Sequence, residues 1–403
     1  MRSLMACAHS TLRRCAHGDP LCRPKSYNLQ MQRALLGGLT APQFLRRHWQ
    51  KRPLFVAQAI PRFAGVLSVD ALFALAARDD VESRLVLRER GRWSLEHGPF
   101  TKARRRALPP RNWTLLVQGV NNHVAAADAL LRRFDFIPYA RLDDLMVSFA
   151  APGGGVGPHA DSYDVFLLQG PGRRRWRVSR QRDLALQPGW PLKILKRFRP
   201  QHAWVLSAGD MLYLPPQIAH EGTAVDACTT YSIGFRAPAA HELATAFLDW
   251  LRDRIAVDGR YADLGLAASR EPARIGVTLQ RYATATLSRI RWNERDAARF
   301  LGSYLTEPKS IVRFEPPPRP LSRASFNREA KRRGVRLDTR TQLLYDERHL
   351  FINGERMRWS AESTAGALKK LANERLLAGA ELRRSGPLSI LYDWYRDGYL
   401  HLD

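Results

Sequence analysis

Three residues of this chain, two histidines and one aspartate, have the types and spacing of a metal site. His159 and Asp161 lie two positions apart in PHADSYDVFLLQG, and His220 follows 59 positions after Asp161 in MLYLPPQIAHEG. Two imidazoles and one carboxylate on one face of a metal leave the opposite positions open, which is the ligand set of non-haem Fe(II) oxygenases. A bare His-x-Asp pair is common by chance, and a lone histidine is more often a core or surface residue. The surrounding sequence must therefore decide whether these three residues bind a metal.

Side-chain alternation predicts how these ligands come together. One extended strand over residues 159–167 would place His159, Asp161 and Tyr163 on the same face. His220 comes after the strand-like run MLYL and a Pro-Pro break. A second strand at this point would bring its imidazole opposite the first pair.

A buried arginine follows the predicted strand. Gly170–Gly172 separates DVFLLQ from RRRWRV, which predicts an antiparallel hairpin. On the return strand Arg174, Trp176 and Val178 share the inner face, and the three arginines between and before them form a solvated outer face. A buried guanidinium needs an anionic partner. That partner is either the carboxylate of a bound small acid or an internal Asp or Glu, which is the more frequent use of such an arginine.

A glycine run, residues 153–155 with residue 157, precedes His159. A phosphate-binding loop would need a strand before it, a helix after it and a Lys-Ser/Thr or third spaced glycine. Those features are missing, so the run predicts a flexible entry to the His159 strand, and a lip over the site.

Length and composition set the broad class. A chain of 403 residues with 45% hydrophobic content predicts two or three domains with real cores. It contains no apolar run of about eighteen residues, so no membrane span is expected. Cys7, Cys15, Cys22 and Cys228 form no disulfide or metal pattern, which favours a reducing, cytoplasmic location. Residues 1–30 lack the features of a signal sequence, and we expect either a disordered leader or a start codon placed too early, with Met31 as the natural start.

The net charge of +26 indicates long-range attraction to polyanions. A basic substrate would be repelled by this charge. Either acidic residues such as Asp143 and Asp144 line the cleft, or the protein meets its target near RNA.

The C-terminal part is organised differently. Residues 241–308 carry apolar residues at helical spacing, and their surplus apolar faces predict a helical dimerisation module. Residues 309–320 form a proline-rich linker. Residues 321–403 alternate short helices with a hairpin around Asn353–Gly354 and resemble a winged-helix domain.

Long strings of the chain, matching in order, resemble one known family. They include HWQKRPLFVAQAI, WTLLVQGVN, FDFIPYARLDDLMVSFAAPGGGVGPHADSYDVFLLQGPGRRRWRV, LYLPPQIAHEG and YSIGFRAP. The chain resembles the JmjC-type 2-oxoglutarate oxygenases and, among them, the bacterial ribosomal oxygenases that hydroxylate an arginine of large-subunit ribosomal protein sixteen. This resemblance implies an α+β fold, with a double-stranded β-helix (jelly-roll, cupin-like) domain over residues 31–240 ahead of the helical module and the winged helix. It also implies a homodimer.

The resemblance implies roles for the co-substrate site. His159, Asp161 and His220 match the Fe(II) ligands and the catalytic centre. Arg174 matches the residue that holds the distal carboxylate of 2-oxoglutarate. Two further residues, Thr230 and Ser232, alternate along the strand TTYSIGF and would line the same pocket.

The resemblance also implies a pocket for the substrate arginine. Tyr163 and Met146 match the residues that sandwich the guanidinium, and Asp144 matches the carboxylate that holds it. The chemistry agrees, because a guanidinium stacks on an aromatic face and pairs with a carboxylate fork. The simpler alternatives are that Asp144 is a surface acid beside Asp143 and that Met146 fills the core.

Together these features predict an Fe(II)- and 2-oxoglutarate-dependent oxygenase acting on an arginine of a large-subunit ribosomal protein. The alternative is a winged-helix regulator that binds nucleic acid and carries a cupin metal site without oxygenase activity.

Overall fold

The computed structural model describes residues 30, 32–358, 362–385 and 389–403. Within these residues the chain forms two compact units. The first contains the described residues up to Ala237, together with Lys309–Thr341 and Ser363–Asp403, and the second contains Pro238–Pro308 and the described part of Gln342–Glu362. None of the described helices is long and apolar enough to cross a membrane.

The first unit is built on two antiparallel sheets. Its strands are β1 (Leu54–Val56), β2 (Ser83–Glu89), β3 (Arg92–His97), β4 (Trp113–Val117), β5 (Leu142–Ala150), β6 (Val165–Gln169), β7 (Arg174–Ser179), β8 (His202–Leu206), β9 (Met211–Leu214), β10 (Ala219–Ala224) and β11 (Cys228–Phe235). The large sheet has the order β1-β9-β6-β11-β5-β4-β2-β3, and the small sheet has the order β10-β7-β8.

Helices accompany the large sheet. They are α1 (Ala41–Arg47), α2 (Val69–Ala76), α3 (Lys102–Arg106) and α4 (Ala125–Leu131), with short 3-10 helices at Val120–Asn122, Arg132–Phe134 and Tyr139–Arg141. The first of them, α1, begins where the Thr40 hydroxyl accepts from the Gln43 backbone while the Gln43 side chain accepts from the Thr40 backbone. This reciprocal cap satisfies two amide groups that would otherwise have no partner.

Apolar side chains occupy the space between the two sheets. Val165 and Leu167 of the large sheet join one buried cluster with Trp176 and Val178 of the small sheet. The other face of the large sheet contributes Phe166 and Tyr231 to the main core, where Phe44 of α1 also lies. Alternation along each strand thus sends one set of side chains to the helices and the other to the interior between the sheets.

The predicted hairpin around Gly170–Gly172 is wrong. The strand β6 pairs with β9 and β11, whereas β7 pairs with β8 and β10. The turn therefore carries the chain from the large sheet to the small one. Gly172 makes this possible, because it has φ +81° and a Cβ there would overlap the Ala227 carbonyl oxygen. The predicted faces of β7 are confirmed, with Arg174, Trp176 and Val178 buried.

The single strand predicted over residues 159–167 is also wrong. His159 forms an isolated bridge with His220, and the Gln217 amide donates to the Asp161 carbonyl. The large sheet takes over only at Val165. Between Asp161 and Val165 the chain changes from one sheet to the other. The regular alternation of side chains that a single strand would have is therefore broken there.

The glycine run lies in a closely packed region and does not form the predicted flexible lip. A Cβ at Gly154 would overlap the carbonyl oxygen of Trp113, and a Cβ at Gly155 would lie 2.5 Å from the carbonyl oxygen of Gly222. Two segments of backbone therefore approach these glycines so closely that no side chain fits. The lip prediction is wrong for this reason.

The remaining elements follow β11. They are α5 (Ala240–Arg252), α6 (Val277–Leu287), α7 (Glu294–Thr306), α8 (Arg323–Arg333), β12 (Gly334–Leu337), β13 (Leu343–Tyr345), β14 (His349–Ile352), β15 (Glu355–Arg358), α9 (Glu362–Glu374), β16 (Leu376–Ala378), α10 (Gly379–Ser385), α11 (Ser389–Arg396) and β17 (Leu400–Leu402). Residues 307–322 contain no helix or strand, in line with the predicted linker. The leader predicted over residues 1–30 lies outside the described residues except for Gln30.

Two small sheets complete the C-terminal part. In the first unit β12 lies between β16 and β17, and in the second unit β14 lies between β13 and β15. The predicted hairpin is confirmed, since Asn353 (φ +48°) and Gly354 (φ +90°) connect β14 to β15. Within the second unit α7 packs against this sheet, with Gly302 directly over the ring of Phe351.

The glycine packing yields a stability prediction. Gly154→Ala should lower the free energy of unfolding by about 1–3 kcal/mol, because the backbone oxygen of Trp113 cannot move aside easily. The matched control is Gly366→Ala in α9, where a Cβ meets open space and a gain of up to about 1 kcal/mol is expected. Urea titration followed by circular dichroism measures both. Equal stability of Gly154→Ala and the wild type would contradict the packing.

Candidate active site

His159, Asp161 and His220 converge at the edge of the small sheet. Their ligand atoms all lie within 4.8 Å of one another. The Asp161 carboxylate is 3.9 Å from His159 Nε2 and 3.7 Å from His220 Nε2. The backbone bridge between the two histidines holds their rings with centroids 4.2 Å apart. This is the separation expected of side chains that share one ion, and the described residues contain no other such group of His, Cys, Asp and Glu.

Backbone carbonyls fix the tautomer of both imidazoles. His159 Nδ1 lies 2.9 Å from the Gly157 carbonyl oxygen, and His220 Nδ1 lies 2.9 Å from the Ile218 carbonyl oxygen. A carbonyl can only accept, so each Nδ1 carries the hydrogen and each Nε2 presents its lone pair towards the carboxylate. Burial, and then the neighbouring His159, lowers the pKa of His220 to about 4. A neutral imidazole is the form that binds a metal, and the donor set fits a divalent iron.

Arg174 reaches from the small sheet into the interior between the sheets. Its side chain is buried, with 5% of its surface exposed. Nη1 donates to Thr230 Oγ1 at 3.2 Å and to Ser148 Oγ at 3.4 Å, while Nε and Nη2 have no hydrogen-bond partner. Burial lowers the pKa of Arg174, and the neighbouring Cys228 thiol offsets only part of the loss of hydration.

The missing partners of Arg174 bear on the predicted internal ion pair. Among the described residues, no Asp or Glu lies within ion-pair distance of this guanidinium, although most other buried charges of the chain have such a partner. Two buried donors without acceptors cost about 1–3 kcal/mol each. A ligand carboxylate would satisfy both through one bidentate fork. The internal ion pair is therefore not what this arginine forms.

Hydroxyl and amide groups from the large sheet surround the inner end of Arg174. Thr230 on β11 is directly opposite Ser148 on β5 and Gln169 on β6. The Thr230 hydroxyl lies 3.3 Å from Gln169 Oε1, to which it donates while accepting from Arg174. Ser232, two residues along β11, is also buried. Ser148 and Gln169 were not predicted from the sequence.

Two of the three predicted substrate residues lie on one face of β5, and the third lies in the loop before β6. Asp144 and Met146 are alternate residues of β5, with Met146 opposite Ser232. Tyr163 lies in the loop before β6 and is 40% exposed. Burial, and then the charges of Asp161 and Asp144, raises the pKa of Tyr163.

Asp144 is a buried acid rather than a surface one. It is 8% exposed and accepts a hydrogen bond of 2.8 Å from the Gly119 amide. Burial, and then the charge of Asp143, raises its pKa to about 6. Asp143 itself is neutralised by Lys309 at 3.1 Å and Arg236 at 3.6 Å. Asp144 thus offers an inward-facing acceptor for a cation.

Comparison with known proteins places this site in a family. Residues 129–243 match the JmjC domain, and residues 289–401 match the ROXA-like winged helix. The X-ray structure of E. coli ycfD superposes with a TM-score of 0.78 at 32% identity, covering 91% of this chain and 98% of that chain. The same protein, described as a ribosomal oxygenase, is also known in complex with cobalt and 2-oxoglutarate, and that structure superposes with a TM-score of 0.75 at 33% identity over the same shares. This chain belongs to the ribosomal oxygenase family.

A curated relative is also similar in sequence to this ribosomal oxygenase. The ribosomal protein uL16 3-hydroxylase of E. coli (strain K12) is 43% identical over 240 residues, an alignment that spans 59% of this chain and 63% of the relative. The predicted family and the predicted fold, a JmjC double-stranded β-helix with a winged-helix domain, are confirmed.

Loss of the carboxylate tests the metal site. Asp161→Ala should weaken binding of Co²⁺ by at least about 100-fold, since even second-sphere changes cost 10- to 100-fold. The matched control is Asp79→Ala, which removes an exposed acid remote from the histidines in sequence. Isothermal titration calorimetry measures both, with circular dichroism to verify the fold. Wild-type affinity in Asp161→Ala would show that the three residues do not share an ion.

Proposed function

We propose that this chain is an Fe(II)- and 2-oxoglutarate-dependent oxygenase that hydroxylates an arginine side chain of the large-subunit ribosomal protein uL16. The observation that carries the proposal is the buried guanidinium of Arg174, which has two free donors and faces the same interior as the neighbouring His–Asp–His group. A cupin-type metal site that takes no acid as ligand would leave such an arginine without a partner.

His159, Asp161 and His220 would hold the iron, and Arg174 would bind the distal carboxylate of 2-oxoglutarate. When bound, iron and 2-oxoglutarate together reduce O2, so that the co-substrate becomes succinate and CO2 and one oxygen atom enters a C–H bond of the substrate. The chain's own contribution is positioning. Thr230 orients Arg174, and Ser232 adds a hydroxyl to the same pocket.

Asp144, Met146 and Tyr163 would form the pocket for the substrate arginine. A buried carboxylate matches the planar fork of a guanidinium, and the exposed ring of Tyr163 offers a face for stacking. Arrival of the cation also removes the penalty of an ionised Asp144 in the interior. The name of the E. coli relative, a uL16 3-hydroxylase, supports uL16 as the target.

The proposal also covers the cellular location of the enzyme, its pairing with a second copy and its domain limits. We infer that the enzyme acts in the cytoplasm, close to ribosomal RNA, because its target is a ribosomal protein. The second unit exposes several large apolar side chains, which a second copy of the chain would cover: Leu248, Val277, Leu279, Leu287 and Trp292. We retain the domain limits 31–240, 241–308, 309–320 and 321–403 as proposals.

The role of Arg174 has a direct kinetic test. Arg174→Ala should raise the concentration of 2-oxoglutarate needed for succinate formation by a factor corresponding to about 2–5 kcal/mol, because a buried carboxylate loses its bidentate partner. Arg174→Lys should recover only part of this loss, since an ammonium cannot form the fork. Arg175→Ala, on the exposed face of the same strand, is the control. An unchanged 2-oxoglutarate requirement in Arg174→Ala would show that Arg174 does not bind the distal carboxylate.

The substrate pocket predicts a pH effect on peptide binding. The affinity of the metal-loaded enzyme for an arginine peptide of uL16 should fall as the pH drops through about 6, because Asp144 then gains a proton and loses its charge. Asp144→Asn should bind weakly at every pH, with a flatter profile, while its affinity for 2-oxoglutarate stays normal. Calorimetry gives the affinities, and mass spectrometry should detect one added oxygen on arginine but none on a lysine-substituted peptide. Equal hydroxylation of the lysine peptide would refute the arginine pocket.

A further inference from the structure

A strongly basic stretch covers β7, the central strand of the small sheet, and the connection from β7 to β8. Residues 173–199 contain ten Lys and Arg residues and a single acid, Asp183, whereas the whole chain has 64 basic and 38 acidic residues. The ratio of basic to acidic residues is therefore much higher in this stretch than in the whole chain. Six of these side chains lie in the connection from β7 to β8 and are exposed, and we call them the basic ridge: Arg180, Arg182, Lys193, Lys196, Arg197 and Arg199.

The ridge has a defined backbone. The Gln181 side chain donates to the Arg197 carbonyl at 2.8 Å and accepts from the Arg199 amide at 2.9 Å. The Lys196 amide donates to the Ala185 carbonyl at 2.8 Å. These bonds hold the two arms of the connection side by side, so Arg180 and Arg182 on one arm are adjacent to Arg197 and Arg199 on the other.

The charges of the ridge are not compensated. Across the described residues, none of its six side chains forms an ion pair, although nearby Arg173 pairs with Asp226 at 2.8 Å and Arg177 pairs with Glu221. Like charges held close together raise the energy of the folded chain, and a polyanion removes that cost while it releases counterions. Arginine, the commonest residue of the ridge, suits phosphate because its planar fork binds two oxygens.

The ridge is attached to the segment that carries the metal ligands. The Leu195 amide donates to the carbonyl of Pro158 at 2.8 Å, one residue before His159, and Ile194 packs against Gly157. A polyanion on the ridge would consequently bind next to the His159 segment rather than on a remote surface.

We propose that the basic ridge binds the phosphates of RNA, so that the enzyme engages its target protein together with ribosomal RNA. The choice of RNA rests on the proposed function, since a ribosomal protein is the substrate and is itself basic. RNA on the ridge would offset the repulsion between a basic enzyme and that substrate. A membrane surface rich in acidic lipids is the competing partner.

The test compares two variants of the full chain that lose equal charge. The ridge variant carries Arg180→Ser, Arg182→Ser, Lys196→Ser and Arg197→Ser. The control carries Arg46→Ser, Arg47→Ser, Lys51→Ser and Arg52→Ser, all exposed residues in the last turn of α1 or just after it. Fluorescence anisotropy with a short labelled RNA hairpin gives the affinity at several salt concentrations. The ridge variant should bind at least about tenfold more weakly, and its slope of log affinity against log salt should fall by about 3. The control should bind like the wild type.

Two outcomes would overturn the ridge proposal. One is an equal loss in both variants, which would mean that only total charge matters. The other is a ridge variant that keeps its RNA affinity, whether or not it loses binding to phosphatidylserine vesicles. Turnover of a short uL16 peptide should be normal in the ridge variant, which also verifies its fold. A wild-type chain that binds RNA through the ridge but never hydroxylates the peptide would refute the proposed function and leave the ridge intact.

Discussion

A guanidinium buried without a countercharge is the constraint on which the site depends. Arg174 has lost nearly all contact with water, and the described residues give it two hydroxyl acceptors but no carboxylate. Such a group destabilises the folded chain unless an anion completes its hydrogen bonds. Side chains of the large sheet orient this guanidinium. Gln169 accepts a hydrogen bond from the Thr230 hydroxyl, so the Thr230 oxygen can accept one from Arg174. The remaining donors are left for a ligand.

Two changes of sheet position Arg174 and the His–Asp–His group. Between Asp161 and Val165 the chain leaves its pairing with β10 and joins the large sheet, and at Gly170–Gly172 it returns to the small sheet. The first change leaves His159 bridged to His220, and the second places Arg174 across the interior from Thr230. The glycines that precede His159 allow backbone to pack where a side chain would not fit. The geometry of the proposed site thus depends on the same close packing that holds the two sheets together.

The sequence predicted which side chains come together better than it predicted the route of the chain between the two sheets. Residue types and spacing were enough for the His–Asp–His group, and period-two alternation was enough for the buried face of Arg174, because both depend on local properties. The turn at Asn353–Gly354 was predictable for the same reason, since both residues tolerate a positive φ. The sheet to which each strand belongs was not predictable, because alternation along β6 and β7 is identical in a hairpin and in a crossing between sheets. Ser148 and Gln169 were missed because small polar residues inside a strand gain meaning only from the strands beside them.

A crystal structure of this chain with Co²⁺ and 2-oxoglutarate would test the central claim most directly. We predict that one carboxylate of 2-oxoglutarate accepts hydrogen bonds from Nε and Nη2 of Arg174, while the other end of the molecule lies on an ion held by His159, Asp161 and His220. Binding of 2-oxoglutarate away from Arg174, or the arrival of an Asp or Glu of the chain at its free nitrogens, would contradict it.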